Sequence, residues 1–177
     1  TNKSDYFNKI NNNLNNIKNA LNHRGPDQSN VIILKEKNIL IGNNRLAIVD
    51  KNSNPQPYRY QNLICVFNGE IYNYKDLINS ENINSNEFKS NSDGEIILFL
   101  YQKYGKKFVE KLNGMFAIAI IDLNKQKFYL FRDTLGQKPI YYYNDQNIFC
   151  FASELRSLKE MGVELNFSNE ESIQNYF

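Results

Sequence analysis

Apolar residues recur along the chain at two different spacings. Phe7, Ile10, Leu14, Ile17 and Leu21 stand three and four apart, which predicts one amphipathic helix whose other face carries Asn and Lys. Arg24-Gly25-Pro26-Asp27 stops it, because Gly and Pro both end helices. Strand-like segments follow at 31–34, 38–42 and 45–49, then a loop around Pro55 and Pro57. The run Leu63-Ile64-Cys65-Val66-Phe67 reads as a buried strand that halts at Asn68-Gly69, a pair whose tolerance of positive φ is enough to predict a hairpin turn. A short helix is expected over 74–79. Ser92 and Glu95 have capping-box spacing ahead of Ile96, Ile97, Phe99 and Leu100, which predicts a helix from Asp93 to about Tyr104.

A further short helix over 106–112 closes at Asn113-Gly114. Strands are then expected at 115–122, 128–132, 140–143 and 148–152, with turns at Asn124-Lys125 and Asp145-Gln146. Helices over 153–161 and 168–177 close the chain, the second with Ser168 and Glu171 in capping-box spacing. Several of these strands are apolar on nearly every residue, which implies cover on both faces. Helices at both ends and strand runs between them fit an α+β domain of two stacked sheets with helices outside. The 177 residues suit one domain, without an internal repeat or a linker.

Charge changes this picture little. Lys and Arg number 21 against 19 Asp and Glu, a net +2 spread without clusters, so no nucleic-acid footprint is expected. The longest apolar runs, such as 115–121, fall well short of the roughly 20 residues that a membrane span needs. A polar N-terminus without a signal layout makes the cytoplasm the expected location. The Asn-rich tracts keep their apolar spacing and read as compositional bias. Cys65 and Cys150 lie inside apolar runs and read as buried hydrophobes, not as a disulfide or a nucleophile. His23 is the single histidine, and C-x-x-C, H-E-x-x-H, G-x-S-x-G and P-loop patterns are absent, so neither a metal nor a nucleotide is expected in this segment.

Polar residues at the ends of apolar strands are the remaining candidates for chemistry: Arg45, then Asn68-Gly69-Glu70, then Asp93 at a helix start. Each has an ordinary reading, as a surface charge, a turn or a complement to a helix dipole. Together they suit a free amino acid with an amide side chain. Arg45 would hold a carboxylate, Asp93 an ammonium, and the Asn68 amide with the Gly69 N–H would aim two donors at an oxyanion.

The motifs HRGPD (23–27), RLAIVD (45–50), FNGEIYNY (67–74), SDGE (92–95), LNGMFAIAIID (112–122), RDTLGQKPIYY (132–142) and ASEL (152–155) closely resemble, in order, the glutaminase domain of glutamine-hydrolysing asparagine synthetases, a class II glutamine amidotransferase. The resemblance covers residues from about 21 to 158 and implies an N-terminal-nucleophile hydrolase fold, a four-layer α-β-β-α sandwich with two antiparallel sheets. It implies an oxyanion hole at Asn68 and Gly69, and a glutamine pocket of Arg45, Ile48, Val49, Asn68, Gly69, Glu70 and Asp93, with Arg24 and Asp27 near the nucleophile. No cofactor is implied for this domain. ATP and Mg²⁺ are implied for a downstream synthetase domain, the expected partner, which would amidate aspartate. A homodimer stays open.

The chain departs from that family in three places. Thr1 stands where the family has its nucleophilic cysteine, followed by polar residues, which predicts that the Cys-bearing strand is missing from residues 1–177 and that the chain so given is inactive. Gly42-Asn43-Asn44 replaces the His and Arg that commonly precede the binding arginine. The S-G-G-x-D-S loop of the synthetase domain is also absent. Besides the glutaminase half of a synthetase, two other functions fit the sequence: a non-catalytic glutamine-binding or docking module, and an amidotransferase acting on another carboxylate.

Overall fold

The computed structural model describes residues 3–46 and 56–164. The first amphipathic stretch folds as two helices, α1 (Lys3–Asn12) and α2 (Leu14–Ala20), where the spacing predicted one. The break falls at Asn13. Its backbone C=O accepts from Asn16 and Ile17, and its Nδ2 donates to the Glu160 backbone O at 2.7 Å, so a tertiary contact outweighs a continuous spiral.

Two of the three strands expected next are present, and the third, expected over 45–49, lies mostly outside the described residues. β1 (Gln28–Leu34) and β2 (Ile39–Arg45) form an antiparallel hairpin that carries the chain through Gly42-Asn43-Asn44 without interruption. After β3 (Tyr58–Tyr60), which the proline-marked loop concealed, comes β4 (Leu63–Ile71). Asn68-Gly69 is therefore not a turn. Asn68 pairs with Ala117 and Gly69 with Phe116 inside the ladder, so the apolar run ends while the strand goes on.

α3 (Tyr74–Ser80) leads to a 3₁₀ turn at Asp93–Glu95 that runs into α4 (Ile96–Tyr104). Ser92 caps this start by accepting from the Gly94 N–H. The capping box is incomplete, because the buried Glu95 side chain accepts from Lys89 N–H and Ser90 Oγ and leaves the Ser92 N–H to Ser90 Oγ. The helix expected over 106–112 is 3₁₀ over Gly105–Lys111. β5 (Gly114–Asp122), β6 (Lys127–Arg132), β7 (Tyr141–Asn144), β8 (Phe149–Ala152) and α5 (Leu155–Glu160) follow close to their predicted places.

The central sheet has the order β3-β4-β5-β6, with every neighbour antiparallel. Continuous apolar sequence in β4 and β5 has the consequence expected of it, a core on each side. On one face Cys65, Phe67, Ile118 and Ile120 pack against Ile96, Leu100 and Tyr101 of α4. On the other, Ile64, Val66, Ala119 and Ile121 meet Ile32 and Ile41 of the β1-β2 pair. The β7-β8 pair packs through Cys150 and Ala152 on Leu158 of α5 and Ile10 of α1. Helix, sheet, paired hairpins and helix thus stack as an α+β sandwich, its second sheet layer built of two separate pairs among the described residues.

In the RDTLGQKP motif, Asp133 is buried and gathers the loop behind β6. Its carboxylate accepts from the N–H groups of Gln137 at 2.9 Å, Phe116 at 3.1 Å and Lys138 at 3.2 Å. These bonds, the one from Gln137 foremost, hold its pKa below the usual carboxylate range. A depressed folded pKa gives stability that is present above the unfolded value, about 3.9, and is lost as pH falls through the folded one. Asp133→Asn is expected to flatten the acid limb of a stability–pH profile measured by urea unfolding between pH 5 and pH 2.

Candidate functional site

Backbone alternation in β4 builds the site. The Tyr72 N–H bonds to Asn113 O, toward β5, so the N–H groups of even-numbered residues in this strand face β5 and those of odd-numbered residues face the opposite edge. Phe116 agrees, since its N–H and C=O both bond to Asp133 and leave Gly69 opposite it without ladder bonds on that side. β3 covers the outer edge only as far as Cys65.

Beyond that point side chains replace the missing strand. Gln56 Oε1 accepts from Phe67 N–H at 2.7 Å while its Nε2 donates to Phe67 O at 2.9 Å, which imitates a ladder pair. Asp93 Oδ2 accepts from Ile71 N–H at 2.6 Å. Between these two occupied donors lies the N–H of Gly69, for which no described residue supplies an acceptor. Gly69 has φ of +149°, and a Cβ there would sit 2.0 Å from Met115 O, so only glycine lets β4 and β5 close at this point.

Side chains alternate likewise. Ile64 and Val66 face the second sheet layer, and Asn68 continues that row. It lines a cavity of about 200 Å³ together with Val66, Ala117, Arg24, Asn43 and Ala152. Asn68 Nδ2 is buried and has no acceptor among the described residues. A buried donor left unpaired costs about 1–3 kcal/mol, so its presence points to a partner that the described residues do not provide.

Arg45 closes β2. Its Nη1 donates to Gln28 Oε1 at 2.8 Å, and its backbone O accepts from Asp27 N–H, which seats the RGPD loop against the strand end. Gly25 makes the contact feasible, since a Cβ there would lie 2.4 Å from Arg45 N. Arg24 reaches the cavity rim and donates to Glu154 Oε1 at 3.4 Å. Glu154 also bonds His23 at 2.8 Å and Arg156 at 2.7 Å, so the ASEL segment holds the HRGPD loop. Burial, followed by the nearby Glu70 charge, raises the pKa of Asp93 against the lowering bond from Ile71 N–H. Glu70 is exposed.

Of the residues predicted to act, Asn68, Gly69, Glu70 and Asp93 lie along one stretch of β4 and the helix start beside it, and Arg45, Asp27 and Arg24 gather where β2 meets the RGPD loop. Thr1, Ile48, Val49 and the helix over 168–177 lie outside the described residues. Both cysteines are free and buried. Burial pushes the Cys65 thiol far up and the Cys150 thiol up to about 12, which leaves neither as a thiolate near neutral pH. Sequence reasoning missed Gln56 and Asn43. Asn43 could have been found, because it continues the odd-numbered row Ile39, Ile41 on the core face of β2, where a polar residue breaks the pattern.

Among the described residues no three His, Cys, Asp or Glu side chains form a metal-holding group, and no helix is long and apolar enough to cross a membrane.

Residues 3–177 match the sequence profile of a family described as a glutamine amidotransferase domain. A Methanocaldococcus jannaschii protein assigned as a glutamine-hydrolysing asparagine synthetase is 38% identical over 186 positions, covering 93% of this chain and 35% of the relative. Glutamine-hydrolysing asparagine synthetases of Bacillus subtilis and Escherichia coli are 39% and 40% identical over 141 positions. Each alignment covers 78% of this chain, with 18% and 25% of the relatives. The chain spans about a third or less of the length of these relatives.

Proposed function

The chain belongs to the glutamine amidotransferase domain family, and we propose that it is the glutamine-hydrolysing half of an asparagine synthetase. One observation carries this reading: Asn68 Nδ2 is buried in the cavity with no acceptor among the described residues, and beside it the Gly69 N–H meets none among them either, while the donors flanking it on the strand edge are both occupied. An oxyanion supplies the acceptor.

Glutamine is then held by its α-carboxylate on Arg45 and by its α-ammonium on Asp93 with Glu70 nearby. A cysteine thiolate attacks the side-chain carbonyl carbon. As the C–S bond forms, the carbonyl π pair moves onto oxygen, where Asn68 and Gly69 receive it. Collapse breaks the C–N bond, the nitrogen takes the proton removed from the thiol and leaves as ammonia, and water hydrolyses the thioester to glutamate. ATP and Mg²⁺ belong to a separate synthetase half that spends the ammonia on aspartate. No step here uses them.

The nucleophile has a natural entry. Among the described strands β2 pairs only with β1, and β8 only with β7. The cavity of about 200 Å³ runs between residues 40–44 and 151–153, and a second of about 700 Å³ between 37–41 and 144–151, with Leu40, Ile41, Phe151 and Met161 common to both. One further strand headed by a cysteine would fill this groove, join the two pairs into a single sheet and end beside Asn68 and Arg24.

Calorimetric melting tests the pocket without needing activity. Glutamine at 100 times its Kd is expected to add about 2.7 kcal/mol of stability, aspartate none, and an unchanged melt with glutamine overturns the reading. A pH series adds a second check. Because Asp93 has a raised pKa, its negative charge is complete above that value and disappears as pH falls through it, above the ordinary carboxylate value of about 3.9. A raised carboxyl pKa does not support the fold at neutral pH, so glutamine affinity should fall on acidification before stability does. Titration calorimetry from pH 7 to pH 4 should show that decline in the parent protein and a weak, flatter profile in Asp93→Asn.

A further inference from the structure

A second orphan lines the cavity with Asn68. Asn43 Oδ1 is buried, lines the same cavity and has no donor among the described residues. Alternation along β2 puts Ile41 and Asn43 on one face, with Ile41 packed on the row of Ile64 and Val66 that Asn68 extends. Two apolar rows in contact therefore each continue into an asparagine. One offers a donor and the other an acceptor, yet they are not bonded to each other.

The fold does not account for Asn43. Its register partner Asn30 donates to Gln56 O at 2.9 Å, and its neighbour Asn44 faces the other way, donating to Lys18 O at 2.9 Å. Both of those side chains tie elements together. Among the described residues Asn43 ties nothing through Oδ1, and a carbonyl oxygen buried without a donor is retained where something else supplies one.

We propose that Asn43 is a specificity-determining residue that reads the amide nitrogen of the substrate. A primary carboxamide carries an acceptor and a donor on one carbon. Its carbonyl oxygen takes the Asn68 Nδ2–H, and its N–H donates to Asn43 Oδ1. An ester of the same acid satisfies Asn68 and leaves Asn43 unpaired, and the carboxylate product sets an oxygen against an oxygen. This assignment rests on the glutaminase reading of the site.

The test compares glutamine with glutamate γ-methyl ester in the intact protein. Asn43→Leu is expected to lower kcat/KM for glutamine by roughly ten- to a hundredfold, the range of one buried hydrogen bond, and to change ester hydrolysis by less than about twofold. Asn43→Asp keeps an acceptor oxygen and should restore the amide-to-ester ratio. Equal losses on both substrates, or no loss on either, overturn the proposal. If Asn43→Leu does not fold, a ratio lowered in Asn43→Asp overturns it instead. A parent protein that hydrolyses neither substrate disposes of the glutaminase reading itself, and the role of Asn43 falls with it.

Discussion

Asn68→Ala should lose activity and keep its fold. Removing one donor from an oxyanion hole costs about 2.7–4 kcal/mol of transition-state stabilisation, so glutaminase turnover of the intact enzyme is expected to fall roughly 100- to 1,000-fold. Most truncations of half-buried side chains also lower stability, by about 1 kcal/mol. Here that penalty should be absent or reversed, since the Nδ2 removed is buried with no acceptor among the described residues and its desolvation already weighs against the folded state. Steady-state kinetics and a urea melt on the same preparation give both numbers. Undiminished turnover would sink the oxyanion assignment. Lost turnover with a strongly lowered melt would make Asn68 a structural residue. An active-site group that stabilises the transition state at the expense of the resting fold is the expected pattern where function and stability compete.

The ordered motifs and the apolar runs made most of the architecture legible. β4 and β5 read as strands covered on both faces because nearly every residue in them is apolar, and the two cores on either side of the sheet bear this out. Errors arose where a long-range partner overrides a local preference. Asn68-Gly69 has the composition of a turn, yet the facing β5 continues through Phe116 and Met115 and holds the pair extended. Asn13 lies inside a well-formed helical spacing, and only its bond to Glu160, far along the chain, divides the helix. Glu95 stands at the capping-box position, but Ser90 and Lys89 draw its carboxylate away.

The residues of the proposed site could be chosen from the sequence, but the arrangement that joins them could not. Arg45, Asn68, Gly69 and Asp93 could be chosen because polar residues at strand ends are where chemistry is built. That Asp93 and Gln56 occupy the donors on each side of Gly69 follows only from the parity of β4 against β5, which a single sequence does not encode. Asn43 is the intermediate case. Its parity within β2 could be read directly, but its significance depends on which row it faces across the cavity.

Gly69→Ala should have the largest effect on the fold, and a second glycine divides its causes. Gly105 also has a positive φ, +58°, but a Cβ there would meet nothing within 4 Å. Gly105→Ala therefore isolates backbone strain, about 1–3 kcal/mol for a conformation that side chains disfavour. Gly69→Ala carries a similar strain at φ +149° and adds a Cβ 2.0 Å from Met115 O and 2.8 Å from Phe116 Cα, contacts that force the two central strands apart. Overpacking of that kind costs a further 1–3 kcal/mol or so, for a total of about 2–6 kcal/mol out of the roughly 5–15 kcal/mol that holds a domain. Thermal unfolding should place Gly69→Ala on the order of 10 °C below the parent and well below Gly105→Ala. Equal melts would mean that β4 and β5 can separate without cost, and then the position of the Gly69 N–H beside Asn68 is not fixed by the ladder. A lower melt for Gly69→Ala, with turnover still poor at a temperature where the variant is folded, would show that the same close approach both holds the sheet and aims the donor.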